Sequence, residues 1–155
     1  MTPRTFARSF VALWYLLGWL SHVYLALFAP ETYRVFGSTA LIPGFANLWQ
    51  TGVMPNIVFF ALALAVFEVM VGGLLISEGR WVTAGLGLSL LFNAFLVQLG
   101  LGYPAPSAAN DFMVNRLPNL VFMALQLPLL WGRNDQSLPA AWREWWRVTW
   151  GPTKS

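Results

Sequence analysis

The sequence predicts an all-α integral membrane protein, a four-helix transmembrane bundle followed by a C-terminal amphipathic helix at the membrane interface. Apolar residues make up 57% of the 155 residues and charged residues only 10%, whereas soluble domains contain roughly 45 to 50% and about 25%. Four apolar runs approach the roughly 20 residues that a helix needs to cross a bilayer. Polar residues inside these runs recur at helical spacing, which favours helices that pack against one another.

The chain divides into a membrane domain and a tail. Residues 1–136 are predicted to form the transmembrane domain and residues 137–155 a tryptophan-rich amphipathic tail. The predicted spans cover residues 10–29, 57–76, 81–101 and 116–131. The basic residues that give the formal charge of +3 are scattered at the ends of the apolar runs, so membrane topology explains them better than nucleic-acid binding does.

The composition excludes several kinds of chemistry. Because the sequence has no cysteine, it cannot form a disulfide, a cysteine-ligated iron–sulfur cluster or a thiol nucleophile. Its single histidine excludes bis-histidine haem ligation within one chain. None of the motifs GxSxG, HExxH, CxxC, GxGxxG or the P-loop occurs. Soluble hydrolase or nucleotide chemistry is therefore not expected, and the chain is not expected to be catalytic alone.

The first span follows Arg4 and Arg8. Its apolar run is too long for the core of a signal peptide and lacks a convincing small-residue cleavage site, so we interpret it as a membrane helix. Trp14, Gly18 and His22 stand four residues apart and share one side of that helix. This side is expected to pack against other helices, because small residues allow close approach of the backbones.

Residues 30–56 have a different character. Prolines and glycines interrupt any long helix there, yet the segment remains too apolar for a solvated linker. We expect it to lie on the bilayer surface or to fold back over the mouth of the bundle. A short helix is predicted near residues 45–50.

The second and third spans form a hairpin around the polar residues 77–80. Glu68 lies near the middle of the second span, where a carboxyl group facing lipid would cost on the order of 3 kcal/mol or more, so it is expected to face protein or water. Small and polar residues follow helical spacing on both helices of the hairpin. The residues expected to pack helices together are Gly18, Ala65, Gly72, Gly73, Gly85 and Ser89.

The fourth span is the shortest and begins with polar residues. Asn115, Arg116 and Asn119 are expected to line the mouth of the bundle rather than to face lipid. Arg116 with the two asparagines could clamp an anionic head group, and pairing of Arg116 with Asp111 is the favoured alternative.

The tail is predicted to form a final helix with Ser137 as its N-cap and Pro139 in its first turn. Its tryptophans fall on one face, opposite charged residues, which is typical of a helix lying flat in the headgroup region. A surface that binds a partner protein is the alternative. The predicted interfacial residues are Trp142, Trp145, Trp146 and Trp150.

The distribution of basic residues predicts the orientation of the chain. With four spans, one side of the membrane holds seven of them and the other holds only Arg34 and Arg116. The positive-inside rule then places both termini in the cytoplasm, in an inner or plasma membrane. The seven are Arg4, Arg8, Arg80, Arg133, Arg143, Arg147 and Lys154.

His22, Glu68 and Asn93 are predicted to reach a similar depth near the centre of the bilayer. If their helix faces converge, the bundle holds a buried acid beside an imidazole and an amide. Such a group could bind a quinone head group, relay protons or hold another polar ligand. The structural alternative is that these side chains only fix helix register. For His22, a weaker alternative is an axial ligand to a chlorophyll or haem.

The motif FEVMVGGLL at residues 67–75, followed by a hinge with Gly79 and Arg80, resembles the DoxX-like family of small four-helix membrane proteins. A glycine in the middle of the first helix, the sequence IPG at residues 42–44 and the asparagines that open the fourth helix also fit, over most of residues 14–131. The resemblance implies association with quinone-reducing or quinol-oxidising assemblies and places the acid of the family at Glu68. Asn93 and Gln98 stand where many relatives have a histidine.

We therefore expect an accessory subunit of a larger membrane redox or electron-transfer complex, which stabilises the assembly and contacts quinone or lipid. Its expected partners are the lipid bilayer and other membrane subunits, with no nucleic acid. Two alternatives remain: a stand-alone binder or carrier of a small hydrophobic molecule, and a structural subunit of a pigment complex.

Overall fold

The computed structural model describes residues 2–151, and every regular element in that range is helical. The α-helices are α1 (Pro3–Phe28), α2 (Phe45–Leu48), α3 (Ile57–Ile76), α4 (Arg80–Leu99), α5 (Ala108–Asp111), α6 (Leu117–Leu130) and α7 (Leu138–Trp150). Short 3₁₀ or π-helical segments cover Pro30–Val35, Trp49–Val53, Met54–Asn56 and Phe112–Arg116. The all-helical prediction is confirmed for the described part of the chain.

Three helical segments within residues 2–151 are long and apolar enough to cross a membrane: Pro3–Phe28, Phe45–Ile76 and Arg80–Leu99. They coincide with the first three predicted spans, and α3 has the predicted limits of 57–76. α1 begins at Pro3 rather than at residue 10, because the Thr2 hydroxyl caps the helix by accepting from the Thr5 amide at 3.2 Å. α4 ends at Leu99 rather than at residue 101, because Gly100 adopts a φ of +77°.

The long helices pack in a ring. α1 lies against α3, α3 against α4 and α4 against α6, while a less extensive contact between α6 and α1 closes the ring. Large apolar side chains with half or more of their surface exposed cover the outside of the helices. A lipid environment accounts for so much exposed apolar surface. Fully buried side chains at the centre include Val11, Tyr15, Val71, Leu75, Val82 and Leu86.

Arginines satisfy helix C-terminal carbonyl groups at the end of the ring where α1 begins, which we call the Arg8 end. Arg8 donates to the Leu75 carbonyl at the end of α3, at 2.8 Å. Arg4 donates to the Leu129 carbonyl at the end of α6, at 2.6 Å. The last carbonyls of a helix have no partner within the helix and carry partial negative charge, so these guanidinium groups tie α1 to both neighbours.

At the opposite end, which we call the Arg116 end, residues 30–56 fold back over the ring. The Leu41 amide donates to the Gln98 carbonyl at 2.9 Å, and the Trp49 indole donates to the Tyr33 carbonyl at 2.9 Å. The predicted short helix is present as α2, which continues through π and 3₁₀ turns into α3. Of the two expected arrangements, the structure therefore has the segment over the mouth of the helices.

α7 starts where the sequence predicts, with Pro139 in its first turn. The predicted side-chain cap is wrong, since among the described residues no hydrogen bond to the Ser137 hydroxyl caps the helix. Leu138 enters the core, and the Trp142 indole donates to the Ser9 hydroxyl at 3.0 Å, so the start of α7 packs on the bundle. Trp146 and Trp150 remain 62% and 67% exposed. Lys154, counted in the predicted charge asymmetry, lies outside the described residues.

Candidate functional site

A cavity of about 440 Å³ lies between the long helices and extends toward the Arg116 end. α1, α3, α4 and α6 all contribute to its lining, and residues 30–56 close one side of it. Most of the lining is apolar and aromatic. The side chains with polar atoms that line it include Tyr15, Ser21, His22, Tyr33, Glu68, Asn93 and Asn119.

Glu68 projects from the middle of α3 into this cavity and is only 4% exposed. Gly18 of α1 lies directly opposite, and a Cβ atom at that position would stand 3.0 Å from Glu68 Oε2. The glycine therefore leaves the space that the carboxyl group occupies. The predicted inward orientation of Glu68 agrees with this placement.

His22 connects Glu68 to a tyrosine from the folded-back segment. His22 Nε2 lies 3.5 Å from Glu68 Oε1, and His22 Nδ1 lies 2.7 Å from the Tyr33 hydroxyl. Burial, with a smaller contribution from the negative charge of Glu68, raises the pKa of Tyr33 to about 12. The hydroxyl therefore keeps its proton at neutral pH and forms a hydrogen bond with His22 Nδ1.

Two buried polar atoms at the cavity have no hydrogen-bond partner among the described residues. They are Oε2 of Glu68, an acceptor, and Nδ2 of Asn119, a donor. A buried polar group without a partner costs roughly 1 to 3 kcal/mol. The cavity therefore offers an acceptor and a donor to whatever molecule occupies it.

Asn93 lines the same cavity but is held by the protein. Its Nδ2 donates to the Tyr15 hydroxyl at 3.1 Å and to the Ser89 carbonyl at 2.8 Å. The Ser89 hydroxyl also donates to Tyr15, at 2.8 Å. These bonds join α1 to α4. Asn93 and Ser89 therefore have the contacts expected of side chains that fix the register of the helices.

Asn115 and Arg116 lie apart from the cavity lining, in a hydrogen-bonded network at the Arg116 end. Arg116 lies 3.2 Å from the Asp111 carboxyl group and donates to the Val97 carbonyl at 2.7 Å. The Asn115 side chain accepts a hydrogen bond from the Tyr103 backbone amide at 2.9 Å and donates one to the Tyr103 carbonyl at 3.0 Å. The structure thus has the predicted pair with Asp111 and separates these two residues from Asn119, which faces the cavity.

Besides Gly18, four of the expected packing residues are buried, two on α3 and two on α4. A Cβ on Gly72 would stand 2.7 Å from the Leu16 side chain, and one on Gly85 would stand 2.9 Å from Leu74 Cβ. Ala65 is 4% exposed and Ser89 fully buried. The packing role of Gly73 is wrong: a Cβ there meets no atom within 4 Å in the described chain, because the glycine lies on the exposed face of α3.

The residues found at the site include three that the sequence analysis did not single out, Tyr15, Tyr33 and Trp49. Tyr15 shares the inner side of α1 with Gly18 and His22, so helical spacing could have indicated it. Tyr33 and Trp49 belong to a segment without periodicity, so no sequence pattern indicates which way they face.

Within residues 2–151, no group of three or more potential metal ligands lies together. Both ring nitrogens of His22 have polar neighbours, Tyr33 and Glu68. The assignment of His22 as an axial ligand to a chlorophyll or haem stays a prediction.

Comparisons of the chain with protein-family models, curated proteins and solved structures find no match. The resemblance to the DoxX-like family therefore stays a prediction. Of the motif positions that carry it, Glu68 and Gly72 are buried between helices, whereas Gly73 is exposed.

Tyr33 yields a prediction about alkaline pH. Because burial raises its pKa from 10.0 to about 12, the folded state holds the phenolic proton more tightly than the unfolded state does. The stability that results is complete below pH 10 and is lost as the pH rises toward about 12. The ultraviolet absorbance of phenolate, followed in the wild type and in Tyr33→Phe, should differ by one tyrosine that titrates near pH 12. Tyr33→Phe should also lose less stability than the wild type between pH 10 and pH 12. A signal near pH 10 would contradict the buried placement.

Proposed function

We propose that this protein is an integral membrane protein that binds a small, mostly apolar molecule whose polar head carries both a hydrogen-bond donor and an acceptor. The observation that carries the proposal is the cavity of about 440 Å³ with two unpartnered atoms, Glu68 Oε2 and Asn119 Nδ2. Ligand cavities of roughly 300 to 1,000 Å³ usually combine an apolar lining with a few polar groups that fix orientation.

The two unpartnered atoms define the head group. Glu68 Oε2 accepts, so the ligand supplies an O–H or N–H group; Asn119 Nδ2 donates, so the ligand also supplies an oxygen. A hydroxyl group or an amide meets both needs, and so does a quinol. A quinone has acceptors only and would leave Glu68 Oε2 unpaired. Tyr33 and His22 fix the orientation of the carboxyl group from the other side.

The proposed topology has four crossings, with α6 as the fourth. α6 alone has 14 residues and spans about 21 Å, but the preceding turn Phe112–Arg116 extends the helical backbone to about 28 Å. That length approaches the roughly 30 Å of a bilayer core. Most described arginines lie at the Arg8 end or in α7, which supports a cytoplasmic location for that end.

A second candidate function is the accessory subunit of a membrane redox complex. The observation that favours it is the exposed tryptophan surface of α7, formed by Trp146 and Trp150. In the proposed interfacial location this surface would contact headgroups, and in a complex it would contact a neighbouring subunit. Purification in mild detergent tests this candidate: co-purification in fixed stoichiometry with a redox subunit supports it, and a monodisperse particle of this chain alone counts against it.

Binding of the redox pair duroquinol and duroquinone to the full-length protein in detergent tests the first proposal. The quinol is expected to bind about tenfold more tightly, because only the quinol donates to Glu68. Glu68→Gln should weaken quinol binding about tenfold, since the side-chain amide replaces one of the two carboxyl oxygens with an N–H group. Anaerobic titration calorimetry measures both affinities.

Glu31→Gln is the matched control, because Glu31 is exposed, pairs with Arg34 at 2.7 Å and lies away from the cavity lining. It should bind both probes as the wild type does. Equal affinities of the wild type and Glu68→Gln for the quinol would contradict the proposal. If Glu68→Gln instead lowers the unfolding temperature while quinol binding persists, Glu68 serves helix packing.

A further inference from the structure

Of the four helix pairs that form the ring around the cavity, α1 and α6 have the least extensive contact. α1 contacts α6 much less extensively than it contacts α3. Aromatic rings bridge the gap: the Trp14 ring lies 5.5 Å from the Phe122 ring, and Phe10 lies 6.2 Å from the same ring. The line between these two helices, which we call the α1–α6 seam, is therefore closed mainly by side chains that can change rotamer.

A second hollow runs along the outer side of α1 beside this seam. It encloses about 420 Å³ and is almost entirely apolar, and we call it the outer groove. Leu13 and Leu17 in this groove are each 54% exposed, as expected of side chains that face acyl chains. The residues of the outer groove are Phe10, Leu13, Trp14, Leu17, Gly18 and Ser21.

The outer groove and the cavity share Trp14, Gly18 and Ser21. These shared residues lie between the two spaces, and Gly18 contributes no side chain there. Trp14 is 58% exposed and lines both spaces, so its side chain lies where they meet. The path from lipid to Glu68 therefore passes beside Gly18, whose Cβ position faces the carboxyl group at 3.0 Å.

We propose that the ligand is a long-chain amphiphile that enters sideways from the bilayer through the α1–α6 seam, with its head at Glu68 and Asn119 and its apolar tail in the outer groove. This inference rests on the proposed function. A cavity of about 440 Å³ has room for a head and a short tail, so a long tail must leave it. The continuity through Trp14, Gly18 and Ser21 assigns the outer groove to that tail rather than to a helix of another protein.

Two photoreactive forms of hexadecanol test the inference in lipid vesicles containing the full-length protein. One carries a diazirine beside the hydroxyl group and reports the head, and the other carries it at mid-chain and reports the tail. After irradiation, mass spectrometry of peptides locates the adducts. The head probe should label residues of the cavity, and the tail probe should label α1 near Leu13 and Leu17.

Leu17→Trp places a larger ring in the outer groove and should lower tail labelling on α1 about tenfold, while head labelling changes little. Leu91→Trp is the matched control, because Leu91 is a lipid-facing leucine, 70% exposed, on α4 and away from the groove. It should leave both labels unchanged. Glu68→Gln should lower both labels, because it weakens the contact that holds the head.

The outcomes separate the two proposals. Head labelling in the cavity together with tail labelling spread evenly around the helices, insensitive to Leu17→Trp, would overturn the outer groove and leave the proposed function standing. Absence of head labelling in the cavity, with Glu68→Gln indistinguishable from the wild type, would overturn binding of hydroxyl-bearing molecules at this site and the inference built on it.

Discussion

Arg116→Ala should lower the free energy of unfolding by about 3 kcal/mol, the lower end of the range for breaking a buried ion pair. Arg116 is only 3% exposed, and its guanidinium group bonds Asp111, the Val97 carbonyl and the Thr39 carbonyl. Alanine would leave the last carbonyls of α4 without this donor, and Asp111 without its counter-charge. We expect the lower end of that range because the Asp111 side chain is 27% exposed, so water can hydrate its carboxyl group once Arg116 is removed.

The same substitution should also affect the cavity. Thr39 belongs to residues 30–56, and this segment carries Tyr33 and Trp49 to the cavity lining. Arg116 links the Thr39 carbonyl to the last carbonyls of α4, so its loss removes one hydrogen-bonded connection between this segment and α4; another is the Leu41 amide bond to the Gln98 carbonyl. Hydrogen exchange should therefore become faster in residues 33–41, and quinol binding should weaken.

Chemical denaturation in detergent measures the stability, with Arg34→Ala as the matched control. Arg34 is 55% exposed in its side chain, and within residues 2–151 that side chain pairs with exposed Glu31 and half-buried Gln50, so its removal should change stability little. If Arg116→Ala and Arg34→Ala unfold at the same denaturant concentration, the buried network does not stabilise the fold.

The helices were largely predictable because the solvent is lipid. An apolar run of bilayer length has few other structures available, so the limits of α3 at Ile57 and Ile76 follow from hydropathy alone. Helix ends depend on local backbone chemistry that hydropathy does not describe. The Thr2 cap extended α1 toward the N-terminus, and the positive φ of Gly100 shortened α4.

The candidate site was predictable only where its residues lie on long helices. Helical spacing and equal depth brought His22, Glu68 and Asn93 to one cavity. Tyr33 reaches His22 from a segment rich in proline and glycine, where neither period nor depth can be counted. Arg116 was expected at the mouth of the bundle, but the backbone carbonyls that bind it are not identified by any side-chain pattern.

Arginines at both ends of the ring perform one physical task. Arg4, Arg8 and Arg116 donate to carbonyls at the C-terminal ends of α6, α3 and α4. Near a bilayer, unpaired carbonyls lack full access to water, so these contacts are expected to be worth more than caps on a soluble helix. Some of the arginines counted by the positive-inside rule therefore also hold helices together. Their number on each side of the membrane does not show which arginines set the orientation and which stabilise helix packing.

Gly102→Ala should destabilise the fold by about 3 kcal/mol or more. Gly102 has a φ of +75°, where a residue with a Cβ is strained by roughly 1 to 3 kcal/mol. A Cβ there would also collide with the Val35 carbonyl oxygen and stand 2.7 Å from its carbon, and backbone atoms cannot rotate away as a side chain can. The substitution therefore pushes the turn after α4 away from residues 30–56.

Gly87→Ala is the matched control for this effect. Gly87 lies within α4, and a Cβ at that position meets no atom within 4 Å in residues 2–151, so alanine should stabilise the helix by up to about 1 kcal/mol. The unfolding temperature in detergent should therefore fall for Gly102→Ala and rise for Gly87→Ala, although both substitutions add the same methyl group. If both variants unfold at the wild-type temperature, the close approach of Gly102 to Val35 is absent, and the folded-back segment that brings Tyr33 to His22 is held by other contacts.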